Sequence, residues 1–196
     1  MSDGFAALLG AIRGCTACAG LPLGPKPVVR GAASARLLIV SQAPGTAAHA
    51  SGLTFDDASG DRLRGWLALD RATFYDAARI AIMPMGFCYP GRLPRGGDRP
   101  PRRECAPLWH DRLRAELPDI RLTLLVGGHA IRAGLPGAAR RGMTAAVQGW
   151  RDHLPDRLPL PHPSWRTTRW QRDHPWFETT LLPELRRRVA AILAGH

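Results

Sequence analysis

LLIVSQAPG, Leu37 to Gly45, decides the fold. Its aliphatic residues stand in an unbroken run too short for a helix and read as a buried strand, and Ala43-Pro44-Gly45 is the turn signal that stops it. Three more runs repeat the pattern: ARIAIMPM (78–85), which stops at Pro84, LTLLVGG (122–128) and LPLPH (158–162). Helical spacing lies between and around them. MSDGFAALLGAIRG opens the chain as an amphipathic helix. DRLRGWLAL (61–69) follows the first strand with Ser59 or Asp61 available as a cap, CAPLWHDRLRAEL (105–117) precedes the third, and FETTLLPELRRRVAAIL (177–193) closes the chain. The Pro/Gly/Arg stretch 89–103 has no periodicity and reads as a loop, and 129–157 is expected to add a helix and a loop. Strands alternating with helices predict an α/β fold: one three-layer domain over 1–196, its central four-stranded parallel sheet covered by helices on both faces. In such sheets a ligand sits beyond the carboxyl ends of the strands. The segments SQAPG, MGFC, VGGHA and PHPSW all fall there.

Composition narrows the function. Hydrophobic residues make up 45% of 196, enough for a packed core, and no apolar run approaches a membrane span. An acidic residue and no basic one ahead of the first apolar stretch predicts a cytosolic protein rather than a secreted one. Lys plus Arg number 27 against 16 acidic residues, a formal charge of +11, and Lys26 is the single lysine. A GC-rich genome explains the preference for Arg over Lys but not the net charge. An excess of planar, fork-shaped cations points to nucleic acid as the partner.

Two sets of residues carry chemistry. His162 stands between Pro161 and Pro163, each with a fixed φ, and Pro163 also restricts the histidine's own backbone. A histidine held so stiffly just past a strand is a candidate site residue. The four cysteines are Cys15 and Cys18 in CTAC, Cys88 in FCYPG and Cys105 in RRECAP. In a cytosolic protein they point to metal or redox chemistry, and CTAC lies ahead of the first strand, which argues against a thioredoxin-like dithiol. By count the thiols suit zinc or an iron–sulfur cluster. The sixteen residues between Cys88 and Cys105 are too many for a zinc ribbon knuckle and are better tolerated by a cluster.

Taken in order, these motifs resemble the uracil-DNA glycosylase superfamily, and most nearly its iron–sulfur (family four) branch. Cys15 and Cys18 match that branch's N-terminal CxxC. SQAPG (41–45) stands where the branch has GEAPG, and GLTFDDASG (52–60), with Phe55, where it has a glycine-flanked Phe. Cys88 and Cys105 match its third and fourth cluster cysteines, and His162-Pro163-Ser164 its HPS motif. The resemblance implies a hydrolase that flips and excises uracil or a related deaminated or oxidised base from DNA, a monomer acting in the bacterial cytoplasm at the nucleoid. It implies that His162 donates to the departing base and that backbone around Gln42 and Ala43 holds it. Phe55 is expected to stack on the base, and Pro163, Ser164, Trp165 and Arg166 to press on the DNA. The four cysteines would hold a 4Fe-4S cluster, with zinc as the alternative.

The departures carry information too. Ala48 and His49 stand where the family has its water-orienting acidic pair, so Asp57, then Asp56, then His49 are the candidates to replace it. The family's uracil-reading Asn falls near Pro84 or Met85, neither of which hydrogen-bonds a pyrimidine edge, so a relaxed choice of base is expected. The missing acids leave a second reading: a lesion- or abasic-site-binding protein of weak activity on the same fold.

Overall fold

The structure, a computed structural model, describes residues 3–195. The chain begins with α1 (Asp3–Arg13) and enters the sheet at β1 (Leu37–Ser41). Three helices, α2 (Thr46–Ser51), α3 (Ala58–Leu67) and α4 (Arg71–Phe74), lead to β2 (Ile80–Pro84), and α5 (Cys105–Ala115) leads to β3 (Leu122–Val126). Short helices α6 (Gly128–Gly134), α7 (Pro136–Ala139) and α8 (Met143–Gln148) precede β4 (Arg157–Leu160), and α9 (Thr167–Asp173) and α10 (Leu182–Ala194) follow it. All strand pairs are parallel, in the order β2-β1-β3-β4. Every residue of β1, β2 and β3 is buried. Successive side chains point to opposite faces, so both faces of the sheet are covered, as the unbroken aliphatic runs predict.

The edges are managed. Residues 28–30 run back along the free side of β2, where Arg30 and Ile82 exchange backbone hydrogen bonds of 3.1 and 2.7 Å. Pro84 ends that strand, and Pro159 lies in the opposite edge strand β4, positions where a missing N–H costs the sheet nothing. A strand order that steps from β1 to β2 on one side and to β3 on the other places a switch point at the carboxyl end of β1.

Several boundaries differ from the pattern reading. Asp57, not Ser59 or Asp61, caps α3: its Oδ1 accepts from the Gly60 N–H at 2.9 Å, and the helix starts three residues early. The 129–157 segment is α6, α7, α8 and a 3-10 turn at Trp150–His153, because Gly134, Pro136 and Gly142 interrupt what would be one helix. The last helical pattern starts as a wide π turn over Phe177–Leu181 before α10; Pro183 has no N–H to continue a regular ladder through that turn. The short helices α2, α4 and α9 carry too few turns to show a period in the sequence.

One contact shapes the loop ahead of α3. A Cβ on Gly60 would lie 1.7 Å from the Phe55 carbonyl oxygen and 2.6 Å from its carbon. Phe55 itself has φ +61, a conformation that costs a bulky residue energy and persists only where neighbours enforce it. Here the Tyr75 hydroxyl donates to the Thr54 carbonyl at 2.9 Å, and the Arg64 guanidinium donates to the Phe55 carbonyl at 3.3 Å. Gly65, one turn along the same helix, faces open space. Gly60→Ala is therefore expected to destabilise the protein by about 3 kcal/mol, since backbone and not a flexible side chain must move. Gly65→Ala is expected to stabilise it by about 0.5–1 kcal/mol. Urea unfolding of the two variants beside the wild type checks both.

Candidate active site

At the carboxyl ends of β1 and β4 lies a cavity of about 500 Å³. Its floor is the Ser41–Gly45 turn that ends β1, one wall is the Phe55–Ser59 loop, and another is the His162–Arg166 loop after β4. Ser41 and Thr54 are the buried polar residues of the lining. The β1 turn is fastened to the end of β2: the Ser41 carbonyl accepts from Met85 N–H at 2.8 Å, and the Gln42 carbonyl from Gly86 N–H at 3.1 Å.

His162 is fixed from three directions. Pro161 and Pro163 on either side are buried, and the buried Thr167 hydroxyl donates to the His162 carbonyl. Its ring lies on the end of β3, where a Cβ on Gly127 would come within 3.4 Å of both His162 Cβ and Cδ2. Gly127, at φ +87, is thus required by its conformation, and the ring lies at ordinary contact distance above it. Burial pushes the His162 pKa below its ordinary value of 6.5, and the Asp57 and Asp98 carboxylates pull the other way less strongly. The imidazole is neutral at neutral pH and keeps one N–H to donate.

The neighbouring loops converge on α3. Arg62 donates to the Ser164 carbonyl at 2.9 Å and to the Thr168 hydroxyl at 3.0 Å, so the helix that carries the Phe55 loop also holds the His162 loop. Phe55 lines the cavity and rests edge-on against Phe74, with ring centroids 6.2 Å apart. Trp165, 75% exposed, stands at the mouth beside Arg166, whose guanidinium lies 5.6 Å from the indole centroid.

Of the residues singled out in the sequence, Gln42, Ala43, Phe55, Asp57, His162, Ser164, Trp165 and Arg166 line this one cavity. Pro163 stays behind it as a buried brace. Asp56 turns away into an ion pair with Arg71 at 2.7 Å, whose hydrogen bond holds its carboxyl below the usual range. His49 is also outside; its ring faces Tyr89 at 6.3 Å, and Ala48 lines the cavity in its stead. Pro84 and Met85 do not reach it: the Pro84 carbonyl instead meets the buried His110 Nε2 at 3.1 Å.

The sequence reading missed the fourth wall. Within the supposedly featureless loop 89–103, Arg92 and Asp98 pair across a hairpin closed by Leu93 N–H to the Gly97 carbonyl at 2.9 Å. Arg92, Leu93, Gly96, Gly97 and Asp98 line the cavity. The Gly96-Gly97-Asp98 turn signal, with φ +87 and +84 at the glycines, was there to be read.

All four cysteines line a second, small cavity, walled by Pro25, Pro27, Phe87 and Trp109. Cys88 and Cys105 are buried, and Phe87 N–H donates to Cys105 Sγ at 3.4 Å. Burial pushes the Cys18 and Cys88 thiols up and Cys105 to about 12. Among the described residues no three His, Cys, Asp or Glu side chains are grouped as ligands to one ion.

No helix among the described residues is long and apolar enough to cross a membrane. The family model of the uracil DNA glycosylase superfamily matches residues 28–186. That span holds all four strands, both loops that carry Phe55 and His162, and the hairpin, and it begins after Cys15 and Cys18. With its parallel sheet and its cavity at the strand ends, the chain belongs to the uracil DNA glycosylase superfamily, whose members are glycosylases that act on DNA.

Proposed function

We propose that this protein is a monofunctional DNA glycosylase of the iron–sulfur branch that flips uracil or a related deaminated or oxidised base out of bacterial DNA and hydrolyses its glycosidic bond. The observation that carries this reading is the neutral His162 fixed at the wall of the cavity, opposite the β1 turn and beside Phe55. When the bond between sugar and base breaks, the electron pair leaves with the base. A rigid N–H aimed at the base oxygen stabilises that anion with little reorganisation. His162 supplies it, backbone at Gln42 and Ala43 borders the base, and Phe55 offers a ring face for stacking. Asp57 spends Oδ1 on the cap of α3 and has Oδ2 left to counter positive charge on the sugar. Ser164 and Arg166 meet phosphate at the mouth while Pro163 keeps their loop stiff, and the +11 charge draws the duplex.

The choice of base is relaxed in this reading. No side chain from the end of β2 enters the cavity, and the polar groups that do, Ser41, Gln42, Thr54 and Ser59, accept more than one pattern of donors and acceptors. Uracil, 5-hydroxymethyluracil, hypoxanthine and xanthine are the candidate substrates.

The four cysteines fit a 4Fe-4S cluster. A single zinc ion needs four sulfurs at about 2.3 Å from one point, whereas a cluster spreads its thiolate ligands over several irons. Four thiols that line one small apolar cavity suit the second demand. Bound there, the cluster supplies a cross-link between the N-terminal segment and the loop after β2, and no chemistry at the base.

Base release from single- and double-stranded oligonucleotides carrying those four bases tests the function. Wild type is expected to release at least one, and His162→Ala to release it at least about 100-fold more slowly while binding DNA with unchanged affinity. No release by folded protein would overturn the reading in favour of a lesion-binding protein, which the alanine at position 48 of the cavity wall would then explain. For the cysteines, Cys105→Ser is expected to lose iron and visible absorbance and to lower soluble yield far more than it alters base preference. Stoichiometric zinc in the wild type, purified without oxygen, would replace the cluster by the alternative.

A further inference from the structure

A carboxylate can orient and deprotonate an attacking water, and the β1 turn of this chain has none: α2 carries no acidic residue in its first turn, and Ala48 faces the cavity. Asp57 has one oxygen committed to the Gly60 N–H, and Asp56 is paired with Arg71 outside the cavity. The hairpin brings another. Asp98, exposed to solvent, lines the cavity, and its Oδ2 lies 3.7 Å from the position a Cβ on Gly45 would take, beside the β1 turn. Among the described residues this carboxylate makes no ion pair and no hydrogen bond.

The hairpin that carries Asp98 is built to hold position. Its base is closed by Arg99 N–H to the Gly91 carbonyl at 2.8 Å, and its turn by Gly96 N–H to the Leu93 carbonyl at 3.0 Å. A Cβ on Gly91 would lie 3.2 Å from Pro22 Cγ, and one on Gly97 would lie 3.3 Å from an Arg166 guanidinium nitrogen. One side of the hairpin is thus pressed against the cysteine-bearing N-terminal segment and the other against the His162 loop. The charged and titratable groups around Asp98 in the cavity are Arg92 on its own hairpin, Arg166 and the neutral His162 on the loop after β4, and Asp57 at the start of α3.

We propose that Asp98 is the carboxylate that orients and deprotonates the attacking water, taking from the hairpin the place that Ala48 leaves empty on α2. This rests on the glycosylase reading above. Water oxygen forms the new bond to the sugar carbon as the bond to the base nitrogen breaks and its electron pair leaves with the base. Asp98 takes one proton from the water and returns it to the base anion or to solvent, so the sugar keeps a hydroxyl and the base a hydrogen.

Asp98→Asn keeps the shape and removes the charge. Single-turnover release of the best base in the panel is expected to fall at least about 100-fold, while affinity for an oligonucleotide with a non-hydrolysable 2′-fluoro analogue of that nucleotide stays within twofold. Asp98→Glu is expected to recover part of the rate. Independently of activity, NMR titration of the His162 ring is expected to show a lower pKa in Asp98→Asn than in wild type, since one of the two opposing carboxylates is gone. Release by Asp98→Asn at the wild-type rate, or an unmoved His162 titration, would overturn the role of Asp98 and leave the glycosylase reading standing. Wild type that releases nothing would overturn both together.

Discussion

The cavity depends on the absence of one methyl group. At Gly60 the first turn of α3 lies directly on the Phe55 carbonyl, closer than any side chain permits, and this contact holds Phe55 in its left-handed conformation. From there the same helix fastens the rest. Asp57 caps it, Arg64 grips the Phe55 carbonyl from within, and Arg62 reaches the Ser164 carbonyl more than a hundred residues away. Arg64 is buried, and its charge is met by Asp61 at 2.6 Å and by the faces of Phe74 and Tyr75. The far end of α3 is held in turn: Arg186 of α10 donates to the Gly65 and Trp66 carbonyls, and Phe177 packs edge-on against Trp66 at 5.0 Å. A helix tied at its C-terminus to the end of the chain and at its N-terminus to both site loops makes their separation a property of the core.

Charges of both signs meet around the cavity. Arginines dominate the protein's charge, and Arg92 and Arg166 line the cavity where phosphate would arrive; Asp57 and Asp98, exposed as those arginines are, line it too, together with a desolvated, neutral imidazole. A uniformly basic cavity would hold phosphate well but would oppose positive charge building on a sugar. A bond that leaves a cationic sugar and an anionic base needs both signs of field within a few ångström, in a place dry enough for them to matter. Burial acting on His162 more strongly than Asp57 and Asp98 keeps the ring uncharged. In the proposed reaction it would polarise the base as a hydrogen-bond donor, without the desolvation cost of a buried cation.

What the sequence revealed follows from where the signals are local. Four aliphatic runs, each ending in Gly or Pro, specified the sheet and its carboxyl edge, and the prolines around His162 marked the rigid loop after β4. Asp56 and His49 fall outside the cavity for one reason: their places turn on contacts between distant segments. Asp56 and Asp57 are indistinguishable as neighbours in a chain. Only the folded loop sends one to Arg71 and the other to the helix cap at the cavity edge. His49 faced Tyr89 for the same kind of reason, since α2 turns Ala48 inward. The hairpin was hidden differently: proline and arginine around it suggested irregular chain, although its paired glycines carried the turn signal.

That hairpin also explains why the long loop between Cys88 and Cys105 is worth its length. A stretch so rich in glycine loses much conformational freedom when it orders, and closing it must be offset at both ends and in the middle. The buried cysteines hold the two ends in one cavity with Cys15 and Cys18, and Arg102 donates to the Ala19 and Gly20 carbonyls at 2.9 and 3.0 Å to bring the N-terminal segment alongside. Pro22 of that segment then supports Gly91 at the base of the hairpin, and Arg166 meets Gly97 near its tip. The cysteine cavity and the site cavity are thus two ends of a single brace. Whatever tightens the four thiols steadies Asp98 and the mouth, although no cysteine lines the site.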